Sequence, residues 1–193
     1  SEWSPDESEP VQGLRCMRIR DSEGAPCTVG IAQAGVPLRR SMGYTLTAYL
    51  RADSPRNVDA RLIAEGGTLA SAQMRAAGEW NKRTVHLTPN RSCASATLTL
   101  TFRGPGTIWL DCVSLMPDDA VGGWRRDVVE AVRALKPGVI RFGGSVVDYP
   151  SYGDYDWRKT IGPLEKRVPF RSWGGLQPAG AGLEEIVQFI RAV

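Results

Sequence analysis

Residues 96–102 read ATLTLTF, a regular alternation of apolar and hydroxyl side chains. Because successive side chains of a β-strand point to opposite faces of a sheet, this period of two predicts a strand with one face in a hydrophobic core. Residues 44–50, YTLTAYL, repeat the alternation. These stretches predict that the first part of the chain is built from half-buried strands.

Further strand-like runs surround these two and are separated by Gly- and Pro-rich turn signals. Gly104-Pro105-Gly106, between two of the runs, is typical of a hairpin loop. Seven short strands without a helical period predict an antiparallel β-sandwich of jelly-roll type over residues 1–117. The other five runs are residues 14–19, 29–36, 60–66, 82–88 and 107–115.

The pattern changes after Pro117. Residues 124–136, WRRDVVEAVRALK, have a helical period, and Pro137-Gly138 ends the predicted helix. Residues 138–142 then read as a short buried strand, a loop of about 40 residues follows, and residues 183–193 predict a second amphipathic helix. The apolar stripe predicted for the first helix is Trp124, Val128, Ala131, Val132 and Leu135.

One helix, one strand, a long loop and a helix do not make a complete domain. A single strand has no neighbour to pair with, and a long loop inside a compact domain is usually functional. Residues 118–193 therefore predict the opening of a larger α/β domain that continues beyond Val193.

Composition excludes some classes of partner. The 24 basic residues are interspersed with 21 acidic ones, for a formal charge of +3, and no basic cluster interleaved with aromatics predicts a nucleic-acid partner. No apolar stretch approaches the about 18 residues of a membrane span. The acidic start, SEWSPDESEP, resembles neither a signal peptide nor a transit peptide, which leaves export open.

The cysteines are Cys16, Cys27, Cys93 and Cys112, and none forms a C-x-x-C pair. The only histidine is His86, so the spacing matches no zinc site. Disulfides in an exported protein and scattered buried thiols both remain open.

Four motifs occur in an order that resembles a known family. They are WLDCVSLMP at 109–117, WRRDVVE at 124–130, LKPGVIRFGG at 135–144 and YDWRKTIGP at 155–163. In this order they resemble the α-L-arabinofuranosidases of glycoside hydrolase family 51. The sequence departs from the family at Gly143, where proline is usual, and at Ser145-Val146.

The resemblance implies a carbohydrate-binding-module-like sandwich at 1–117 and the amino-terminal portion of a (β/α)8 barrel at 118–193. It implies a retaining hydrolase that needs no cofactor and acts on arabinose-containing polysaccharide. Its two catalytic glutamates would follow the fourth and seventh barrel strands. Both lie beyond this chain, which is expected to be inactive alone.

The predicted sugar-binding residues follow the first barrel strand. Arg141 lies at the end where barrel enzymes place their chemistry, either holding a later catalytic carboxylate or forming a structural ion pair at the barrel mouth. Gly144 leaves backbone room for a sugar or serves only a turn, and acids such as Asp156 are expected to cap turns. Ser145 and Asp148 are candidates to hydrogen-bond sugar hydroxyls. Trp157 and Trp173 are candidates either to stack on sugar rings or to anchor the loop to the barrel.

Few residues of the predicted sandwich stand out as functional. Trp80 and Trp109 are expected in the core, whereas Tyr49 and Arg51 face away from it, towards a sugar-binding surface or solvent. Asp111 resembles an aspartate that related sandwiches use for structural calcium, although calcium needs six or more oxygen ligands.

Two functions of different classes remain open. The first is the amino-terminal part of a retaining arabinofuranosidase, with secretion or a periplasmic location slightly favoured and the oligomeric state undetermined. The alternative is a non-catalytic sandwich that binds carbohydrate or serves as a scaffold.

Overall fold

The computed structural model describes residues 2–22, 28–144, 155–172 and 175–193. The chain divides into two compact units, an amino-terminal unit, Ser1–Asp118, and a carboxy-terminal unit, Asp119–Val193. Within the described ranges, neither α-helix combines the length and the apolar composition that crossing a membrane requires.

The amino-terminal unit is a β-sandwich, as the alternating runs predict. All of its strand pairs are antiparallel. One sheet has the order β1-β2-β9-β4-β7 and the other β3-β8-β5-β6, which is a jelly-roll arrangement. The strands in the described residues are β1 Glu2–Asp6, β2 Cys16–Asp21, β3 Thr28–Leu38, β4 Tyr44–Ala52, β5 Arg56–Ala64, β6 Gly67–Ala76, β7 Asn81–Leu87, β8 Cys93–Arg103 and β9 Gly106–Pro117.

The hydrophobic core lies between the two sheets. On β4, Leu46, Ala48 and Leu50 are fully buried, while Tyr49 and Arg51 point away from the core. On β8, Leu100 and Phe102 face them across the sandwich with about 1% of their surface exposed. The alternation of the sequence therefore places the core correctly.

The hairpin predicted at Gly104-Pro105-Gly106 is wrong. β8 pairs with β3 and β5, whereas β9 pairs with β2 and β4 in the other sheet. The turn therefore carries the chain from one sheet to the other. Strands β1 and β6 were not predicted, because SPD and SAQ interrupt their apolar pattern.

The carboxy-terminal unit contains the two expected helices, α1 Arg126–Ala134 and α2 Leu183–Ala192. Between them lie two 3₁₀ turns, Trp157–Thr160 and Leu164–Lys166. A small hairpin, β10 Phe170–Ser172 and β11 Gly175–Gln177, follows. The long predicted loop thus has local structure of its own.

Two details of this unit differ from the prediction. Residues 138–142 form no strand, and Val139 is 86% exposed, because no strand among the described residues pairs with them. The apolar stripe predicted for α1 is also confirmed only in part, since Trp124 and Val132 are half-buried and Ala131 is exposed. Val129 is fully buried, whereas Val128 and Leu135 are 40% and 78% exposed.

Candidate functional site

Three of the six predicted sugar-binding residues lie in the described part of the chain: Arg141, Gly144 and Trp157. Arg141 is exposed. Gly143 and Gly144 have φ values of 102° and 48°, in the left-handed region that favours glycine. This geometry agrees with a turn after residue 142. Ser145, Asp148 and Trp173 lie outside the described residues.

Trp157 begins the first 3₁₀ turn with 43% of its surface exposed. The Asp156 carboxylate caps this turn by accepting a hydrogen bond of 3.0 Å from the Arg158 N–H, as expected for an acid at a turn. The Arg158 guanidinium lies 4.7 Å from the Trp157 ring centroid. The indole is therefore held by its own turn and still presents an aromatic surface to solvent.

A buried ion pair connects this loop to α2. Arg167, with 2% of its side chain exposed, donates two hydrogen bonds of 2.8 Å to the two carboxylate oxygens of Glu185. It also donates to the carbonyls of Gly162 and Ala179, at 2.9 and 3.2 Å. One guanidinium therefore fixes two loop segments and the start of a helix.

Glu185 also caps α2. Its Oε2 accepts a hydrogen bond of 2.8 Å from the Gly182 N–H. The hydrogen bonds from Arg167, followed by that from Gly182, lower the pKa of the Glu185 carboxyl. A Cβ at position 182 would lie 2.0 Å from the Thr160 carbonyl oxygen, so only glycine fits there. No local sequence pattern predicts this pair, although the Gly-x-x-Glu spacing at 182–185 is a signal for the cap.

The outer face of the five-stranded sheet carries an aromatic and cationic cluster. The Arg51 guanidinium lies 5.2 Å from the Trp80 ring centroid and 4.5 Å from that of Trp109. Its Nη1 donates to Glu9 Oε2 at 2.8 Å. Both tryptophans are half-buried on this face, so the prediction that they lie in the core is wrong. Each flanks a cation instead of filling the sandwich.

Residues 7–15, called the strap below, cross this face. The Trp80 indole N–H donates to the Glu9 carbonyl at 2.8 Å. Asp111 Oδ2 accepts hydrogen bonds from the N–H groups of Val11 and Gln12, at 2.8 and 3.1 Å. The strap is therefore attached to the sheet by both backbone and side-chain contacts.

Asp111 also stabilises an irregularity in β9. Its Oδ1 accepts a hydrogen bond of 2.7 Å from the N–H of Cys112, which has a left-handed φ of 48°. The pairing register of β4 with β9 shifts at this point, between Thr47 and Tyr49. Asp111 therefore holds a β-bulge as well as the strap.

The surroundings of Asp111 do not fit a calcium site. Calcium needs six or more oxygen ligands, whereas both carboxylate oxygens here face N–H donors. Within the described ranges, no group of three or more His, Cys, Asp or Glu side chains is placed to hold a metal ion. Calcium binding stays an untested prediction.

Asp6 lies among donors that favour its charged form. The Ser8 hydroxyl and N–H donate to Oδ1, and the Trp109 indole N–H donates to Oδ2 at 2.8 Å. These bonds, with that of the Ser8 hydroxyl largest, lower the pKa of Asp6 from 3.8 to about 2. The bonds stabilise the fold above pH 3.8, and that contribution is lost as the pH falls through about 2.

We expect an NMR titration of the side-chain carboxyl carbons to give Asp6 a pKa of about 2. Ser8→Ala should raise this pKa towards 3.8, because it removes the largest cause of the shift. Trp109→Phe should raise it by less. A wild-type pKa of 3.8 would contradict the hydrogen bonds described above.

Two of the cysteines are free thiols in the described part of the chain, Cys16 and Cys93. Cys16 is buried beside Asp6, and burial raises the pKa of its thiol. Cys27 lies outside the described residues. Scattered thiols therefore account for Cys16 and Cys93.

The chain is similar to curated arabinofuranosidases over most of its length. It is 30% identical over 185 residues to the extracellular exo-α-L-arabinofuranosidase of Streptomyces chartreusis. This alignment covers 86% of this chain and 22% of that protein. It is 32% identical over 168 residues to α-L-arabinofuranosidase 1 of Arabidopsis thaliana. That alignment covers 80% of this chain and 25% of the Arabidopsis protein. The chain thus spans about a quarter of the length of these relatives.

A family model and a solved structure agree with this similarity. Residues 131–193 match the alpha-L-arabinofuranosidase 1 domain. The arabinose-bound MgGH51 α-L-arabinofuranosidase has the same fold over 98% of this chain and 36% of that chain, with a TM-score of 0.82 at 21% identity. The resemblance to the amino-terminal part of family 51 α-L-arabinofuranosidases, which the four sequence motifs indicate, is confirmed.

Proposed function

We propose that this chain is the amino-terminal part of a retaining α-L-arabinofuranosidase that removes arabinofuranosyl groups from polysaccharide side chains. The observation that carries the proposal is the match of residues 131–193 to the arabinofuranosidase domain, next to a sandwich similar to the same enzymes. The carboxy-terminal unit opens a (β/α)8 barrel in this proposal.

Three acids of the carboxy-terminal unit have structural roles in the part of the chain that the structure describes. A retaining hydrolase needs two carboxyl groups about 5 Å apart across the scissile bond. Asp156 caps a turn, Asp127 pairs with Arg125, and Glu185 pairs with the buried Arg167. The nucleophile and the acid/base are therefore proposed to come from later barrel strands.

The same unit has apolar side chains that a complete barrel would bury. Surface of this kind costs about 25 cal/mol per Å² when it stays in water. We propose that later strands and helices of the barrel cover it. The exposed side chains include Leu135, Val139, Leu164, Val168, Leu176 and Ile190.

Arg141 and Gly144 are proposed to line the sugar site of the complete barrel, together with Ser145 and Asp148. Trp157 and Trp173 are proposed to contact the sugar through their rings. The exposed indole of Trp157 on a capped turn supports an aromatic subsite. An Arg141→Gln variant of the longer protein that keeps full kcat/KM would contradict the role given to Arg141.

The 193-residue chain alone should release no nitrophenol from p-nitrophenyl α-L-arabinofuranoside, because the proposal assigns both catalytic glutamates to later barrel strands. The measurement is absorbance at high enzyme concentration, with the longer gene product as the positive control. Activity of the short chain would overturn the proposed position of the glutamates. An inactive longer product would overturn the arabinofuranosidase proposal itself.

A second candidate function is a non-catalytic sandwich that binds carbohydrate or serves as a scaffold. The outer face of the five-stranded sheet favours binding, because it presents Tyr49 beside the Arg51–Trp80–Trp109 cluster. Calorimetric titration of the chain with arabinan and with xylan separates the alternatives. Saturable heat supports a binding module, and its absence supports a scaffold.

Export is part of the proposal. The Streptomyces relative is named as an extracellular enzyme, and an extended polysaccharide is met outside the cell. Detection of the protein in the culture medium supports export, and confinement to the cell contradicts it.

A further inference from the structure

A cleft of about 320 Å³ lies at one end of the five-stranded sheet, where β2 ends and β9 begins. Its lining includes Arg18 and Arg20 of β2 and Thr107 and Trp109 of β9, with Asp53 beyond β4. This volume is within the range of small-molecule sites. The cleft belongs to the sandwich alone and is separate from the predicted barrel-mouth residues in sequence.

The two arginines point to an anionic ligand. Arg18 and Arg20 alternate along β2 and pair across the strands with Trp109 and Thr107. Neither guanidinium lies within 4.0 Å of a carboxylate in the described residues, whereas those of Arg15, Arg51, Arg56 and Arg61 do. Arg18 acts on Asp6 through its charge, but no carboxylate closes either fork by direct pairing. Two such adjacent arginine forks suit a carboxylate ligand, which they bind through paired N–H groups.

The carboxylates in the lining do not cancel this charge. Asp53 accepts a hydrogen bond of 2.6 Å from Arg56 Nη2 and one of 2.7 Å from the Thr107 N–H. Both of its oxygens are therefore engaged. Asp21 also contributes to the lining, but its side chain is 3% exposed. The exposed part of the cleft is thus dominated by the two arginines.

Trp109 gives the cleft an aromatic wall. Its indole N–H is bonded to Asp6 at 2.8 Å, and Arg51 stacks on the ring at 4.5 Å. The ring is therefore fixed before any ligand arrives, which lowers the entropy cost of binding. Aromatic rings contact the apolar face of a sugar, whereas a simple inorganic anion gains little from them.

We propose that this cleft binds an acidic sugar, a uronic acid unit of a polysaccharide. Arg18 and Arg20 bind its carboxylate, and Trp109 contacts its ring. The site holds the chain on charged polysaccharide and takes no part in bond cleavage. It does not depend on the arabinofuranosidase proposal, because all of its residues lie in the sandwich.

The test is an NMR titration of the 193-residue chain with sodium D-glucuronate, D-glucose, sodium acetate and inorganic phosphate. We expect the amide signals of Gly106 and Thr107 to shift saturably with glucuronate. The Kd for glucuronate should be at least about tenfold lower than that for glucose, because glucose has no carboxylate for the arginines to bind. It should also be lower than those for acetate and phosphate, which have no sugar ring to contact Trp109. Equal binding of glucose, or of phosphate, would overturn the acidic-sugar assignment.

Variants locate the site. The double variant R18Q/R20Q should raise the Kd for glucuronate at least about tenfold, while the single variants have intermediate effects. K82Q is the matched control, because Lys82 is an exposed cation on the same sheet face, two strands from β9. Unchanged core methyl signals verify that each variant is folded. An equal loss in K82Q, or no saturable shift in the wild type, rejects the proposal.

Discussion

Replacing Arg167 by methionine is expected to lower the stability of the carboxy-terminal unit by about 3–5 kcal/mol. The change leaves the Glu185 carboxylate partly buried without its cation and removes hydrogen bonds to Gly162 and Ala179. The loss is large because two buried charges were satisfied by each other, and one then remains alone. A surface ion pair would contribute only about 0–1 kcal/mol.

Native-state hydrogen exchange of the Ile186 amide measures this effect, because that N–H bonds to the Gly182 carbonyl in the first turn of α2. We expect its exchange to accelerate at least about a hundredfold in Arg167→Met. The matched control is Glu184→Gln. Glu184 lies 3.6 Å from the same guanidinium but is 49% exposed, so its loss should change the exchange little.

The double variant R167M/E185L tests the cause. If the unpaired charge dominates, removing both partners should recover much of the stability lost in Arg167→Met. If the lost bonds to the loop carbonyls dominate, the double variant should be no better than the single one. Exchange in Arg167→Met as slow as in the wild type would show that the pair does not hold α2.

The Arg167–Glu185 pair also determines the direction in which the stability of the carboxy-terminal unit changes with pH. Hydrogen bonding by Arg167 lowers the pKa of Glu185, so the bonds stabilise the folded state above the ordinary glutamate pKa of about 4.3. This contribution is lost as the pH falls through the lowered pKa. This pH dependence of stability should weaken in Arg167→Met, since hydrogen bonding by Arg167 is the largest cause of the lowered pKa.

Alternation in the sequence predicts the faces of strands but not their partners. Leu46, Ala48 and Leu50 are buried as predicted because a period of two fixes which side chains share a face. The turn at residues 104–106 looks the same whether the next strand pairs with β8 or crosses to the other sheet. Contacts between distant strands decide that choice, and a short window does not contain them.

Helical periodicity is limited in a similar way as a predictor of which side chains are buried. Val128 and Val129 are adjacent, so a stripe through either one fits the sequence of α1, and tertiary packing selects Val129. Arg167 and Glu185 are 18 positions apart and belong to different elements. No local pattern joins them, although the cap at Gly182 was readable.

Residue type alone predicts the wrong location for the two tryptophans on the outer face of the five-stranded sheet. Trp80 and Trp109 are large and apolar, which favours the core. Their indole N–H groups, however, bond to the Glu9 carbonyl and to Asp6, and Arg51 lies between their rings. The strap supplies these partners, and a segment so polar gave no sign in the sequence of covering a sheet.

Asp111→Ala is expected to detach the strap and to lower the stability of the sandwich by about 2–3 kcal/mol, since unsatisfied donors cost about 1–3 kcal/mol. The change leaves the N–H groups of Val11, Gln12 and Cys112 without their acceptor. Cys112 then also keeps its left-handed backbone without the bond that favours it. Asp111→Asn retains one oxygen acceptor and should lose less.

Urea unfolding and hydrogen exchange of the Val11 and Gln12 amides measure the loss of stability and the detachment of the strap. A chelator then tests whether Asp111 acts by accepting hydrogen bonds or by binding calcium. If Asp111 acts by accepting N–H groups, EDTA leaves the wild type unchanged and calcium does not stabilise either variant. If Asp111 binds calcium, EDTA should destabilise the wild type to the level of Asp111→Ala. Because both oxygens of Asp111 already face donors, the first outcome is expected. Fast exchange at Val11 with unchanged urea stability would mean that the strap is attached at Asp111 without supporting the sandwich.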